Sequence, residues 1–347
     1  MSILNQLMDA SRGQAVMVDA LDPSIKGKAF FFYGLSDTGK TSQLTKLPNP
    51  VLMPLEKEGG AVAGVIKLPT RSWSDVERHL NLLKSKQWTN ILNSTDEPIC
   101  IIIDGAEKLA RYAERKVCAD AKVAEISQAG TRGKGYKKLE NLVINFITDL
   151  LNLDYAVIFI GHETVFDDGY IFPKGDRKRG IDAIIENCDV VTWLESQPLD
   201  PETNQPGMSI AHFFSGTIGE DGSYFARCRY VEMQPTLNPF TAEGFVNVLH
   251  DAVVAEAKRL GVGIVDAKSR LDFKTQQNKG FDMPFAECKD VCLDMMDELD
   301  EKGRGGEVDK IILANLESVE AFNDISEIQI DALYSIYHAL STLVEED

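Results

Sequence analysis

The stretch "AFFFYGLSDTGKTSQL", Ala29 to Leu44, decides how the rest of the chain is read. Its opening, Ala29 to Tyr33, is an unbroken apolar and aromatic run of strand length, as expected for a strand buried on both faces. Gly34-Leu35-Ser36-Asp37-Thr38-Gly39-Lys40-Thr41 then fits G-x-x-x-x-G-K-[ST] at every required place. A short helix, "KTSQLTKL", is expected to follow Gly39. Strand, glycine turn and helix in this order aim consecutive backbone N–H groups at one point, where β- and γ-phosphates fit. The expected nucleotide segment therefore runs from Gly34 through Thr41 to Ser42. Lys40 offers a point charge to the phosphates, and the Thr41 hydroxyl offers a ligand to Mg²⁺.

Four further apolar runs have strand length: "VLMPLE" (51–56), "ICIIID" (99–104), "YAVIFIGH" (155–162) and "DVVTWLES" (189–196). Between the third and fourth strands, Leu139, Leu142, Val143, Phe146, Ile147 and Leu150 follow helical spacing. Alternation of buried strands and amphipathic helices predicts an α/β fold, a mostly parallel central sheet flanked by helices. Turn signals such as "GEDGS" within 206–233 predict antiparallel strands at the sheet edge, and Thr241 reads as the N-cap of a helix beginning "AEGF". Asp104 ends the third strand, where a carboxylate can support the metal of a nucleotide site.

Composition bounds the partners. Of 347 residues, 44% are apolar and 26% charged, an ordinary globular balance, and no apolar run has the length of a membrane span. The N-terminal "MSILNQLMDASRGQ" lacks a basic region followed by a long apolar one, so the expected compartment is the cytoplasm. The six cysteines are spread along the chain without a metal-binding spacing, and structural roles are expected for them. The net charge of −18 is uneven: Phe281 to Asp347 carries 18 acidic and 4 basic residues, leaving 36 acidic and 32 basic in the rest. Within the near-neutral part, Lys108 to Lys138 holds nine Lys or Arg against three acids, and "PKGDRKRG" (173–180) is basic again. The expected organisation is a nucleotide-binding core over 1–263, a polar linker over 264–280 and an acidic helical region over 281–347.

"GLSDTGKT", "LEKEGG", "IIIDGAEKL", "GYKKLENLVINFITDLLNL", "VIFIGHE", "DVVTWL" and "NPFTAEGF", in this order, resemble the RecA-like (ASCE) P-loop ATPases encoded by phages. The likeness is to the group of AAA-domain nucleotide-binding proteins and Sak-type single-strand-annealing recombinases. It implies a DNA-stimulated ATPase using ATP and Mg²⁺, acting on single-stranded DNA in phage recombination, replication or repair, in the host cytoplasm. Gly105 departs from the usual AAA+ arrangement, which has a glutamate directly after the metal-supporting aspartate. The resemblance places the hydrolytic carboxylate instead after the second strand, Glu58 first and Glu56 second, with His162 as a γ-phosphate sensor beside Glu163. It also places two DNA-contacting loops. One would run from about Val117 to Tyr136, its flexible glycine spacing carrying Arg132, Lys134, Lys137 and Lys138 with Tyr136 as a stacking ring; the other carries Lys174, Arg177, Lys178 and Arg179.

Ring- or filament-forming relatives complete the site with a cation from the next subunit, a role Arg227 or Arg229 could fill; both also read as ordinary edge-strand residues. A homo-oligomer is thereby implied. The acidic region has no counterpart in the resemblance and reads as a solvated surface or as a docking arm for a single-strand-binding or replication protein. Two other functions stay open: an ATP-dependent loader or remodeller of such a protein, and a nucleotide-binding interaction protein with little turnover.

Overall fold

The computed structural model describes residues 20–55, 62–95, 97–131, 133–175, 180–198, 207–219, 222–265, 285–316, 318–322, 325 and 330–345. The chain divides into two compact units, Met1–Asp266 and Ala267–Asp347. In the first unit five parallel strands form the centre of a sheet: β1 (Ala29–Gly34), β2 (Pro50–Pro54), β3 (Cys100–Asp104), β4 (Ala156–Val165) and β5 (Val190–Glu195). Their spatial order is β2-β3-β4-β1-β5, so β4 lies between the strand that leads into the glycine loop and the strand that ends in Asp104.

Residues 29–33 are each fully buried, and alternate side chains serve opposite faces. Phe31 and Tyr33 share a core with helices α2 (Ala106–Ala121) and α3 (Lys134–Asn152). Phe30 and Phe32 pack on the other face with the short helix α1 (Lys40–Leu44) and with α4 (Ala242–Leu260). There the Phe245 ring meets both edge-on, with centroids 5.1 and 5.0 Å away. Buried on both faces, β1 needs apolar residues at every position, hence the unbroken run in the sequence.

Antiparallel strands extend both sides. Ile210–His212 pairs with the end of β5, Thr236–Leu237 pairs with Ile210–His212, and Arg227–Cys228 pairs with the start of β5. β4 runs on to Val165 rather than stopping at His162, because Glu163–Val165 pair antiparallel with Ile171–Pro173. Tyr170–Pro173 in turn pairs with Gly222–Tyr224, which forms a hairpin with Gly216–Ile218 around the expected turn. The second strand ends at Pro54, short of the glutamates at 56 and 58, which lie outside the described residues.

The second unit is helical, with Phe285–Glu301, Gly305–Asn315 and Ile330–Glu345 around a core of its own that includes Cys292, Leu299, Ile312, Leu333, Ile336 and Leu340. Its second helix stops at Asn315 and is followed by a separate short turn, Glu320–Phe322. No helix among the described residues is long and apolar enough to cross a membrane.

Thr241 caps α4 as its sequence indicates: its side chain accepts a 2.9 Å hydrogen bond from the Gly244 N–H. Thr241→Ala is expected to cost about 1 kcal/mol of stability. Urea denaturation followed by circular dichroism should show the lower midpoint while nucleotide affinity stays at the wild-type value.

Candidate nucleotide-binding site

The strand register brings the motif residues to one edge. Gly34 stands opposite His162 of β4 and Leu194 of β5, and Asp104 stands opposite Ile160, two residues before His162. The loop after β1 therefore opens beside the ends of β3 and β4, where ligands bind in open α/β sheets. A Cβ on Gly34 would come within 2.5 Å of the Leu194 carbonyl oxygen, so no other residue passes between the two neighbouring strands here. Gly39 adopts φ +75 with open space around it, the conformation and clearance that let backbone N–H groups face a phosphate. Asp37 also takes a positive φ of 65, while Leu35, Ser36 and Asp37 form the exposed rim of the loop.

The Lys40 ammonium is buried within the loop and donates to the carbonyls of Gly34 (3.0 Å) and Leu35 and to the Thr38 hydroxyl (3.0 Å). Burial pushes its pKa down to about 8, opposed by the charges of Asp104, Glu163, Glu107 and Asp37. The Thr41 hydroxyl donates to Asp104 Oδ2 at 3.0 Å. One hydroxyl and one carboxylate side by side, next to a phosphate cradle, suit Mg²⁺, which keeps several waters and takes its remaining ligands from phosphate oxygens. Thr41 and Asp104 would hold the metal, which would supply positive charge to neutralise the phosphates. Ser42 is exposed in the first turn of α1.

Three contacts at this site were not signalled by any motif. The Ser209 hydroxyl donates to the Thr38 carbonyl at 2.8 Å, bracing the loop from a residue far away in sequence. Glu163 accepts the Trp193 indole N–H at 2.8 Å, and the Trp193 ring stacks on Tyr224 with centroids 4.6 Å apart. His162 Nδ1 lies 2.8 Å from Glu107 Oε1. Only Glu107 left a trace in the sequence, as an acidic residue in a helix's first turn.

The other expected residues distribute differently. Arg227 and Arg229 sit beside the start of β5: both donate to the Glu186 carbonyl (3.4 and 3.2 Å), and Arg229 pairs with Asp189 at 3.2 Å. Asp189 also accepts the N–H of Ala29, the first residue of β1. Along the strand direction, Arg229 thus lies level with the start of β1, about 17 Å from Gly34, and Arg227 lies level with Phe31, about 10 Å from it.

The segment expected as an open loop between Val117 and Tyr136 is instead the end of α2, a short turn at Ile126–Gln128 and the start of α3. Gly130 and Gly133 take positive φ, and Gly135 serves packing, because a Cβ there would lie 2.6 Å from the Ile126 carbonyl. Tyr136 is half-buried against the core, whereas Lys134, Lys137 and Lys138 are exposed on the first turns of α3. Lys174 is exposed, and its backbone N–H donates to the His162 carbonyl at 2.8 Å. Arg132, Arg177, Lys178 and Arg179 lie outside the described residues.

Loss of one supporting hydrogen bond costs about 1 kcal/mol. Ser209→Ala is accordingly expected to weaken Mg·ATP binding by about fivefold, whereas Lys40→Ala abolishes it. Isothermal titration of each variant, with thermal melts to confirm folding, measures both.

Over 331 residues, 95% of this chain and 97% of the relative, the sequence is 29% identical to the SPbeta prophage-derived uncharacterized protein YorG of Bacillus subtilis (strain 168). Residues 26–229, more than half of the chain, match a family model described as AAA domain. That span takes in the glycine loop, Asp104 and His162, so the order of strands and the convergence of these side chains on one sheet edge have their explanation: the chain belongs to this AAA domain family of P-loop ATPase-type proteins.

Proposed function

We propose that the protein binds Mg·ATP on Gly34–Ser42, hydrolyses it, and couples turnover to single-stranded DNA as a Sak-type annealing or strand-exchange protein of phage recombination, replication or repair. The observation that carries the coupling is the bond from the Lys174 N–H to the carbonyl of His162. It ties the beginning of a basic run to the residue that stands opposite Gly34, so that a phosphate-dependent shift of one moves the other.

Further features support a single-stranded ligand. Phe166, 47% exposed, lies almost parallel to the Tyr170 ring at the turn after β4, and exposed aromatic rings near cations stack unpaired bases. Lys134, Lys137 and Lys138 add a second group of exposed cations for backbone phosphates. Arg227 and Arg229, remote from their own loop, fit the role of transition-state cations only toward the nucleotide of a neighbouring copy, which favours a ring or filament. A second reading, an ATP-dependent loader of a single-strand-binding or replication protein, is favoured by the separate core of Ala267–Asp347. Its acidic surface suits a basic partner.

ATP turnover with and without single-stranded DNA, duplex DNA and RNA tests the first reading. Single-stranded DNA is expected to stimulate turnover most. Lys134, Lys137, Lys138 and Lys174 changed together to Ala should remove that stimulation while nucleotide binding persists. The slope of log affinity against log salt should fall by about 0.7 for each phosphate that the variant no longer neutralises. Stimulation that survives in the quadruple variant would sink the DNA reading, and stimulation by a protein partner that disappears on truncation at Asp266 would establish the loader.

A further inference from the structure

Glu107 lies in the first turn of α2, three residues after Asp104, among inward-facing apolar neighbours that include Ala106, Leu109 and Ala110. It is only 7% exposed, and its carboxylate is unevenly served. Oε1 meets His162 Nδ1 at 2.8 Å, while the buried Oε2 has no hydrogen-bond partner among the described residues. Leaving a buried carboxylate oxygen bare costs stability, and an alanine or leucine here would pack at no such cost. A carboxylate held at that expense, and joined to a histidine at the edge of the nucleotide site, calls for a role beyond packing.

We propose that Glu107 is a positioning residue that holds His162 toward the terminal phosphate of the nucleotide; the inference rests on the reading of Gly34–Ser42 as the ATP loop. His162 stands opposite Gly34 in the strand register, and its side chain is 31% exposed although its partner is buried. The carboxylate takes the Nδ1–H and so fixes the tilt of the ring. Nε2 is at the far end of the ring from the buried carboxylate. With a proton on each ring nitrogen, the Nδ1–H is held by Glu107 and the Nε2–H is a charged donor to a γ-phosphate oxygen, with nothing to grip in a diphosphate. Gly161, next to His162, makes room for the Phe31 ring, which a Cβ there would enter at 2.8 Å. The Glu107 charge also reaches Lys40, which places the carboxylate within the electrostatic surroundings of the phosphate site.

The test is the ratio of Mg·AMP-PNP affinity to Mg·ADP affinity in the full-length chain, measured for wild type, Glu107→Gln, Glu107→Ala, His162→Ala and the Glu107→Ala/His162→Ala double variant. Glu107→Gln conserves shape and guards against a variant that fails to fold. Wild type is expected to prefer the triphosphate. Glu107→Gln and His162→Ala should each reduce that preference by about tenfold, the loss expected for a charge-assisted contact, with ADP affinity unchanged. The double variant should lose no more than His162→Ala alone. Equal weakening of both nucleotides by Glu107→Gln, additive losses in the double variant, or a wild type without triphosphate preference would overturn the assignment. A wild type that prefers AMP-PNP but never turns over ATP would remove the hydrolysis reading and leave the ratio to judge Glu107. A chain that binds neither nucleotide would remove the ATP-loop reading, and this inference with it.

Discussion

A strand hydrogen-bonded along both edges and covered on both faces has no freedom to shift, and β1 is in that position between β4 and β5. A slip of one residue would turn Phe30 and Phe32 away from the Phe245 side and Phe31 away from the other, so the register is held by the whole core. Gly34 is where this rigidity becomes useful. The contact with the Leu194 carbonyl admits no side chain, and the glycine loop therefore starts at a fixed point beside Asp104 and His162. Chemistry that requires sub-ångström placement of phosphates is thus built on the least mobile element of the sheet.

Charge at the site follows from the same geometry. Lys40 sits in an apolar setting that disfavours its ammonium, with the carboxylates of Asp104, Glu163, Glu107 and Asp37 close enough to oppose that effect. With these carboxylates around Lys40, a metal ion offsets repulsion between the site and an incoming polyphosphate. The Thr41–Asp104 pair would hold such an ion. Metal and nucleotide are therefore expected to bind as one unit.

The five parallel strands, the helix with apolar residues at 139–150 and the Thr241 cap were legible because each rests on local periodicity or capping chemistry. The motif fixes the spacing of the loop, Lys40 and Thr41, and Asp104 was read from its place at the end of an apolar strand. What was not legible depends on contacts between residues far apart in the chain. Ser209 reaches Thr38 across 171 positions, and Glu107 reaches His162 across 55, with no spacing rule to announce either. The glycines of "GTRGKGYKK" misled for a related reason: Gly135 packs against Ile126 and Ala129, and a sequence does not distinguish a glycine needed for contact from one needed for freedom. The extension of β4 to Val165 is likewise owed to a partner strand rather than to its own residues.

Asp189 links the two ends of this design. One of its oxygens accepts the Ala29 N–H at the start of β1, and the other receives the Arg229 guanidinium. The arginine side chain is 52% exposed, and a pair of that exposure is worth about 0–1 kcal/mol. The arginine end of this link is therefore the weaker one, while the bond from the Ala29 N–H keeps Asp189 in place.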